Sequence, residues 1–225
     1  GSHFDKATEQ ASPGFYAVTL TDYGVRAELT ATTRVAFHRY TFRKAGDAHI
    51  LIDLTHHDQV LESSLKVLDD HTVAGLRRSK AWAQDQPVWF VATFDKPFKA
   101  ELAMDDKLQP GLKEASGLSV KAVLHFDLKP GDQVLAKVAL SAVDIDGAKK
   151  NLAAELPGWD FDAMRAAARA AWNKELGKIE VEGGTADQRR IFYTGLYHAL
   201  IQPNTFQDVD GRYLGRDLKI HTAKG

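Results

Sequence analysis

From residue 14 to about residue 143, apolar and polar positions alternate with a period of two. Residues 15–20 (FYAVTL) alternate in this way, residues 21–24 (TDYG) are turn formers, and residues 25–32 resume the extended pattern. This arrangement predicts a hairpin. Further strands are predicted at residues 35–42, 49–54, 61–68, 72–77, 88–94, 118–128 and 133–143, with polar turns at residues 44–47, 69–71, 95–97 and 129–132.

The number and spacing of these segments indicate the fold class. About eight or nine short strands are joined by short turns, and no helical period separates them. Parallel strands need long crossover connections, which are absent from this region. The pattern therefore predicts a mainly β protein built on an antiparallel β-sandwich.

After residue 143 the apolar period changes to about 3.6. Residues 146–156 and 161–176 are rich in alanine with Lys and Arg on the opposite face, and Pro157 and Gly158 separate them. Asp160 is placed to cap the second helix at its N-terminus, and Gly177 to end it. A short strand is predicted at residues 179–182, followed by a glycine joint and by Thr185 as the cap of another helix.

This last helix, residues 189–199 (RRIFYTGLYHA), is amphipathic and precedes a polar turn at residues 202–216. Only about ten residues follow the turn, so we expect the helix to lack a partner within the chain and to begin a larger helical domain. The predicted organisation is a β-sandwich domain over residues 1–145, a helical linker over residues 146–183, and the start of a helical domain over residues 184–225.

Composition narrows the classes of partner and site. The chain of 225 residues carries 29 basic and 30 acidic residues, with no basic run, so we expect neither nucleic acid nor a membrane surface as a partner. No apolar stretch approaches the roughly 18 residues of a membrane span. Cysteine is absent, which excludes disulfides and thiol chemistry. No signal peptide is present at the start. Gly1, Ser2 and His3 resemble a cloning remnant, which is compatible with the removal of a natural leader.

Residues 208–211 (DVDG) form the motif most suggestive of a site. Aspartates two positions apart with a glycine resemble part of a calcium loop, but the third ligand position and the closing glutamate do not follow, so a polar turn is favoured. His56 and His57 precede Asp58 after a strand, where adjacent side chains point to opposite faces and make a poor metal pair unless a loop bends them together. His38 is predicted to be a hydrogen-bonded residue within a strand.

Residues 77–82 (RRSKAW) combine cationic side chains with an indole at a strand end. Sugars bind aromatic faces through their C–H surface, with polar groups taking the hydroxyls, so Ser79 and Trp82 are carbohydrate-binding candidates. The alternative is a surface loop whose tryptophan covers the core. No phosphate loop, dinucleotide fingerprint or nucleophile elbow is present.

Longer strings resemble a known family. Residues 9–16 (EQASPGFY), 27–35 (AELTATTRV) and 37–42 (FHRYTF), with residues 192–198 (FYTGLYH) and 203–215 (PNTFQDVDGRYLG), closely resemble glycoside hydrolase family 92 in the same order. Members of this family are calcium-dependent, exo-acting α-mannosidases. The resemblance extends over essentially the whole chain, although the glycine-rich segments that normally precede Phe4 are absent.

The resemblance implies an N-terminal β-sandwich, a helical linker and the first helix of an α/α barrel domain. It implies hydrolysis of terminal α-mannosides with inversion, α-mannoside glycans and the missing C-terminal helical domain as partners, and calcium as cofactor. The catalytic carboxylates and main calcium ligands are expected outside this chain, in a periplasmic or secreted bacterial enzyme. Residues that could still contact substrate are Asn204, Asp208, Asp210, Arg212, Trp82 and Ser79, although a structural role at the domain interface is favoured for each of them.

The competing hypothesis is a β-sandwich module without catalytic activity, which either binds carbohydrate or only supports another domain. On the enzymatic hypothesis this chain is the N-terminal portion of the protein and is itself inactive, because the catalytic groups lie elsewhere. Measured binding of mannose to the chain would separate a binding role from a purely supporting one.

Overall fold

The computed structural model describes residues 2–44, 46 and 48–223. Its strands are β1 (Gln10–Ser12), β2 (Phe15–Leu20), β3 (Val25–Ala31), β4 (Val35–Phe42), β5 (Ala48–Asp53), β6 (Gln59–Val67), β7 (Thr72–Lys80), β8 (Gln86–Phe94), β9 (Lys99–Met104), β10 (Lys107–Gln109), β11 (Glu114–Gly117), β12 (Val120–Phe126), β13 (Gln133–Ser141), β14 (Arg212–Leu214) and β15 (Ile220–Thr222). The helices are a 3-10 turn (Lys6–Thr8), α1 (Ile145–Glu155), α2 (Phe161–Leu176) and α3 (Ala186–Ala199).

The strands form two stacked sheets and one small hairpin. The large sheet has nine strands in the order β1-β2-β3-β4-β13-β8-β7-β6-β11, and the second sheet has four in the order β10-β9-β12-β5. Every strand pairing is antiparallel. The predicted antiparallel sandwich is therefore confirmed, and β13 is its central strand although it comes last in sequence.

Turn chemistry explains the predicted hairpin positions. Gly24 lies at φ +65° between β2 and β3, and Gly131 at φ +90° in the turn before β13. Both backbone conformations are ones that residues with a Cβ seldom adopt, which is why glycine marks these turns. The predicted turn at residues 44–47 includes residues 45 and 47, which lie outside the described residues.

Two apolar cores lie on opposite faces of the large sheet. Between the sheets, Phe94, Phe98 and Phe126 contact one another with ring centroids 5.5–6.0 Å apart. On the other face, α1 and α2 cover Phe37 and its neighbours, and the ring of Phe161 lies 5.3 Å from that of Phe37. The helical segment therefore packs on the sandwich as a third layer.

The helix ends follow the predicted caps. The Asp160 side chain accepts a hydrogen bond from the Ala163 N–H, and Gly177 follows the last residue of α2. Thr185 and Gln188 form a reciprocal capping box at the start of α3. Such caps satisfy backbone donors that have no partner within the helix.

Several details differ from the sequence predictions. The strand predicted at residues 118–128 is present but shorter, since β12 begins at Val120 and ends at Phe126. The short strand predicted at residues 179–182 is irregular, since no described strand pairs with it. Strands β1, β9, β10, β11, β14 and β15 were not predicted. None of the helices among the described residues is long and apolar enough to cross a membrane.

The prediction that α3 has no partner within the chain is wrong in one respect. Its Tyr197 ring lies 4.7 Å from the Trp172 ring of α2, and the Tyr193 hydroxyl donates to the Ile179 carbonyl at 3.2 Å. No residue of α3 is buried, and Ile191 and Phe192 are exposed. The helix thus contacts α2 on one side and leaves an apolar surface on the other.

Candidate functional site

The candidate residues gather at one end of the large sheet. At this end β13 and β7 end, and β4 and β8 begin. Ser141, the last residue of β13, pairs with Trp89 in β8, and Val35, the first residue of β4, pairs with Ala139 in β13. We call this end the rim and define it as residues 32–34, 54–58, 81–85 and 142–144. The Gln202–Arg216 segment lies against one part of the rim, and Trp82 is in another.

Asp208 is buried against the rim, with 4% of its surface exposed. Its Oδ2 accepts a hydrogen bond from the Ser141 hydroxyl at 2.7 Å, and its Oδ1 accepts one from the Asn151 amide at 2.8 Å. The backbone N–H of Gly211 donates to the Asp208 carbonyl, which closes a turn with Gly211 at φ +82°. The polar turn predicted for residues 208–211 is confirmed.

The close approach of Asp208 depends on Gly147 in the first turn of α1. A Cβ atom at position 147 would lie 2.1 Å from Asp208 Oδ2 and 2.7 Å from Ser141 Oγ. Only glycine leaves room for the carboxylate there. The position next to the helix N-terminus also favours a negative charge.

Asp210 and Arg212 form ion pairs around this buried centre. Arg212 donates to both oxygens of Asp144, at 2.6 and 3.1 Å, and to Asp210 at 2.8 Å. Lys150 Nζ donates to Asp210 at 2.9 Å. The pKa of Asp210 is lowered mainly by the hydrogen bond from Lys150 and further by Arg212. The pKa of Asp144 is lowered mainly by the hydrogen bonds from the Arg212 guanidinium. Both carboxylates are therefore ionised at neutral pH and engaged with cations.

Arg34 provides a further contact to the segment. Its Nε donates to the Gln207 carbonyl at 2.5 Å, and its Nη1 pairs with Glu155 at 2.5 Å. Glu155 also accepts from the Thr32 hydroxyl and from the Arg34 backbone N–H, and these bonds lower its pKa against the opposing effect of burial. Asn204 is exposed and takes no part in these contacts.

Ser79 and Trp82 differ sharply in accessibility. Ser79 is buried, and its Oγ accepts a hydrogen bond from Arg77 Nη1 at 2.9 Å. Arg77 in turn donates to the carbonyls of Leu54 and His56, at 3.0 and 2.8 Å. Ser79 thus helps to orient the arginine that holds the loop at residues 54–58, and its hydroxyl is not presented to a ligand.

Trp82 is 97% exposed at the tip of the turn between β7 and β8. The base of this turn is fixed by Arg78, which donates to both carboxylate oxygens of Asp85 at 2.7 and 2.5 Å and lowers its pKa. The indole is therefore presented on a braced loop. Strand β7 is two strands from β13, so the two parts of the rim lie ~10 Å apart across the sheet.

The histidine pair lies in the rim loop and not on a strand. His57 has φ +67°, and the rings of His56 and His57 are 4.0 Å apart. The loop bends them together, contrary to the arrangement expected on a strand. Among the residues that the structure describes, the one group spaced to hold a metal is Asp69, Asp70 and His71, on the turn at the opposite end of the sheet, with both aspartates exposed and His71 half-buried. The His38 Nδ1 and the Tyr40 hydroxyl oxygen are hydrogen-bonded at 2.8 Å, which confirms the prediction of a hydrogen-bonded residue within a strand.

The residues that sequence reasoning missed are those that receive the segment. Ser141 and Asn151 carry no local signal for this role, because Asp208 lies 67 and 57 residues away from them in the chain. Glu155, which holds Arg34, lies 121 residues from it. Gly147 offered one signal, since glycine is unfavourable within a helix and its presence in the first turn of α1 needs a reason. The arrangement as a whole docks one chain segment on another and presents one exposed aromatic ring.

Comparison with known proteins places these features in a family. Residues 1–141 match the glycosyl hydrolase family 92 N-terminal domain, and residues 147–225 match the glycosyl hydrolase family 92 catalytic domain. A curated relative, an uncharacterised secreted glycosidase of Arthroderma benhamiae, is 27% identical over 91% of this chain. The chain spans 30% of the length of that relative.

Solved structures agree in both sequence and fold. A family 92 α-mannosidase from Bacteroides thetaiotaomicron superposes with a TM-score of 0.94 and 37% identity, covering 100% of this chain and 31% of that one. A family 92 inverting mannosidase from the same organism gives a TM-score of 0.89 and 26% identity, covering 98% and 30%. With two family domains matched along its length, the chain belongs to glycosyl hydrolase family 92.

Proposed function

We propose that this chain is the N-terminal portion of an inverting, exo-acting α-mannosidase that hydrolyses terminal α-mannosides. The observation that carries the proposal is the likeness over 100% of the chain to an α-mannosidase structure, including the segment docked on the rim. That enzyme has also been solved in complex with mannoimidazole. We retain the division into residues 1–145, 146–183 and 184–225 as part of the proposal.

The carboxylates at the junction of the rim and the docked segment are not available for acid–base catalysis. Asp144 and Asp210 pair with cations, and Asp208 is buried among neutral donors. An inverting glycosidase needs one carboxylic acid to protonate the leaving oxygen and one carboxylate to activate water, roughly 6.5–9.5 Å apart. We place that pair in the part of the protein that this chain does not span.

The same contacts argue against calcium binding at this junction. Calcium needs several oxygen ligands with free lone pairs, whereas Asp210 is held by Lys150 and Arg212. The residues of this junction do not fit the ion, and we propose that a calcium-dependent parent enzyme binds it elsewhere. We also propose that the parent is periplasmic or secreted. The name of the fungal relative describes that protein as secreted.

Within this chain, Trp82 is our leading candidate for contact with the glycan. A fully exposed indole has no role in the core, and its braced loop keeps the ring oriented. Asn204 is a second candidate because it is exposed on the docked segment. Ser79, Asp208, Asp210 and Arg212 would act indirectly, by fixing the loops around a glycan.

The proposal is tested by assaying the parent enzyme on a panel of α-mannosides, with and without a calcium chelator. NMR spectra recorded during the reaction identify the anomer of mannose that is released first. We expect release of β-mannose, loss of activity with chelator, and no activity from the 225-residue chain alone. Absence of mannose release from every α-mannoside would overturn the proposal.

A second function, carbohydrate binding without catalysis, is favoured by the exposure of Trp82. Calorimetric titration of the chain with methyl α-mannoside tests it, using Trp82→Ala and a control, Leu108→Ala, that removes another exposed apolar side chain in β10. Binding that Trp82→Ala abolishes and Leu108→Ala preserves supports the binding role. Absence of binding to the unsubstituted chain refutes it.

A further inference from the structure

The interior of the junction between the rim and the docked segment is held by one amide side chain, that of Asn151. Asn151 is completely buried. Its Nδ2 donates to the Leu140 carbonyl at 2.8 Å and to Asp208 Oδ1 at 2.8 Å, while its Oδ1 accepts from the Val209 N–H at 2.9 Å. The amide therefore connects three elements: the end of β13, helix α1 and the docked segment.

These bonds fix the position of the segment and not merely its attachment. A buried amide without its partners costs about 1–3 kcal/mol, so a displacement that breaks these bonds is strongly disfavoured. A shift of the segment by one residue would remove both Asp208 and the Val209 N–H from Asn151. The partners of the outer ion pairs, in contrast, are flexible Lys150 and Arg212 side chains that tolerate displacement.

The hydrogen-bond donors around Asp208 also favour a single position of the segment. Asp208 receives its hydrogen bonds from Ser141 and Asn151, both neutral donors fixed in the interior. Buried polar groups that are fully satisfied specify one geometry, because every alternative leaves a donor or a charge unpaired. The contact of Asp208 with the α1 N-terminus at Gly147 adds a fixed dipole to that geometry.

We propose that Asn151 is a positioning residue for the parent enzyme: it sets where the segment of residues 202–216 lies on the rim, and thereby aligns the catalytic domain with the β-sandwich. The proposal rests on the proposed α-mannosidase function. Reaction rates depend steeply on the alignment of binding and reacting groups, so a small displacement between domains lowers turnover.

The first experiment uses the 225-residue chain and a swap of the two interacting side chains. Asn151→Asp places two carboxylates face to face, and Asp208→Asn places amide hydrogens where Asn151 or Ser141 already donates. In the double variant, Asn at 208 donates to Asp at 151, which still accepts from the Val209 N–H, but the Leu140 carbonyl loses its donor. We expect amide exchange at Val209 to accelerate at least about tenfold in each single variant and to slow again in part in the double variant.

Lys149→Ala serves as the control, because it changes an exposed side chain on the same helix whose ion-pair partner, Asp146, is outside the network. We expect it to leave exchange at Val209 unchanged. Unfolding midpoints measured on all variants separate local displacement from global loss of structure. Single variants that retain wild-type exchange at Val209 would refute the role of Asn151 in holding the segment.

The second experiment places the same variants in the parent enzyme and measures kcat and KM separately on an α-mannoside. We expect kcat to fall at least about tenfold in the single variants with KM little changed, and to recover in the double variant. Unchanged kcat in variants with accelerated exchange, or no recovery in the double variant, would overturn the positioning role. A wild-type parent inactive on α-mannosides would instead refute the proposed function, and the exchange experiment would still decide whether Asn151 holds the segment.

Discussion

Replacing Gly147 by alanine is a direct test of the packing beneath the docked segment. Alanine is normally the better residue in a helix, by about 1 kcal/mol, and Gly147 lies in the first turn of α1. Its new methyl group, however, would lie 2.1 Å from Asp208 Oδ2 and 2.7 Å from Ser141 Oγ. The carboxylate has to move. Helix propensity therefore predicts that the substitution stabilises the docked state of the segment, whereas packing predicts that it destabilises this state.

The magnitude follows from the bonds that the movement breaks. Asp208 accepts hydrogen bonds from Ser141 and Asn151, and a hydrogen bond to a charged group contributes about 1.5–3 kcal/mol. Loss of both, offset by about 1 kcal/mol of helix propensity, leaves a net destabilisation of ~2–5 kcal/mol for the docked state of the segment. None of these residues belongs to the apolar core between the two sheets, so we expect that core to keep its packing.

Native-state amide exchange at Val209 and Gly211 measures this opening free energy, and urea denaturation followed by tryptophan fluorescence measures global stability. Gly158→Ala is the matched control, since a Cβ there meets no atom within 4 Å, and we expect it to be neutral or to stabilise by up to about 1 kcal/mol. Equal or slower exchange in Gly147→Ala than in the wild type would refute the packing argument.

Three further predictions concern other parts of the chain. Lys137→Met removes a buried ammonium that bonds to the Leu156 carbonyl at 3.0 Å and lies over the Trp159 ring, so we expect a loss of about 1–3 kcal/mol in the free energy of unfolding. Burial lowers the pKa of His38 to about 4, so the unfolded chain binds a proton that the folded chain does not as the pH falls from 6.5 to 4. Stability should fall over that window, and His38→Gln should flatten the pH profile by up to about 3 kcal/mol. Trp82→Ala should leave the unfolding midpoint unchanged, because the indole is exposed.

Local signals in the sequence predicted much of the fold. The caps at Asp160 and Thr185 and the glycine turn at residue 24 each depend on a few neighbouring residues, and the structure has them in place. The alternation of apolar residues located the strands for the same reason. What these signals do not contain is the order of strands, which assigns nine to one sheet and four to the other.

The candidate site was less predictable because its contacts are long-range. The DVDG motif identified Asp208 and Asp210, but their partners Ser141 and Lys150 lie 67 and 60 residues away. Ser79, at the end of a polar run, gave no indication that Arg77 would lie against it. A pattern records how a residue relates to its neighbours in sequence, whereas these roles depend on which strands and helices meet at the rim.

The central position of β13 determines when the docking surface exists during folding. Strand β13 lies between β4 and β8, and its Gln133 pairs with Thr41, 92 residues earlier. Until β13 inserts, the large sheet is two separate halves, and closing such a long loop is entropically costly. Ser141 is the last residue of β13, so its hydroxyl reaches position only when the sheet closes. Asp208 can therefore dock on Ser141 only after β13 has joined the sheet, which makes sheet closure the step that must precede docking of residues 202–216 on the rim.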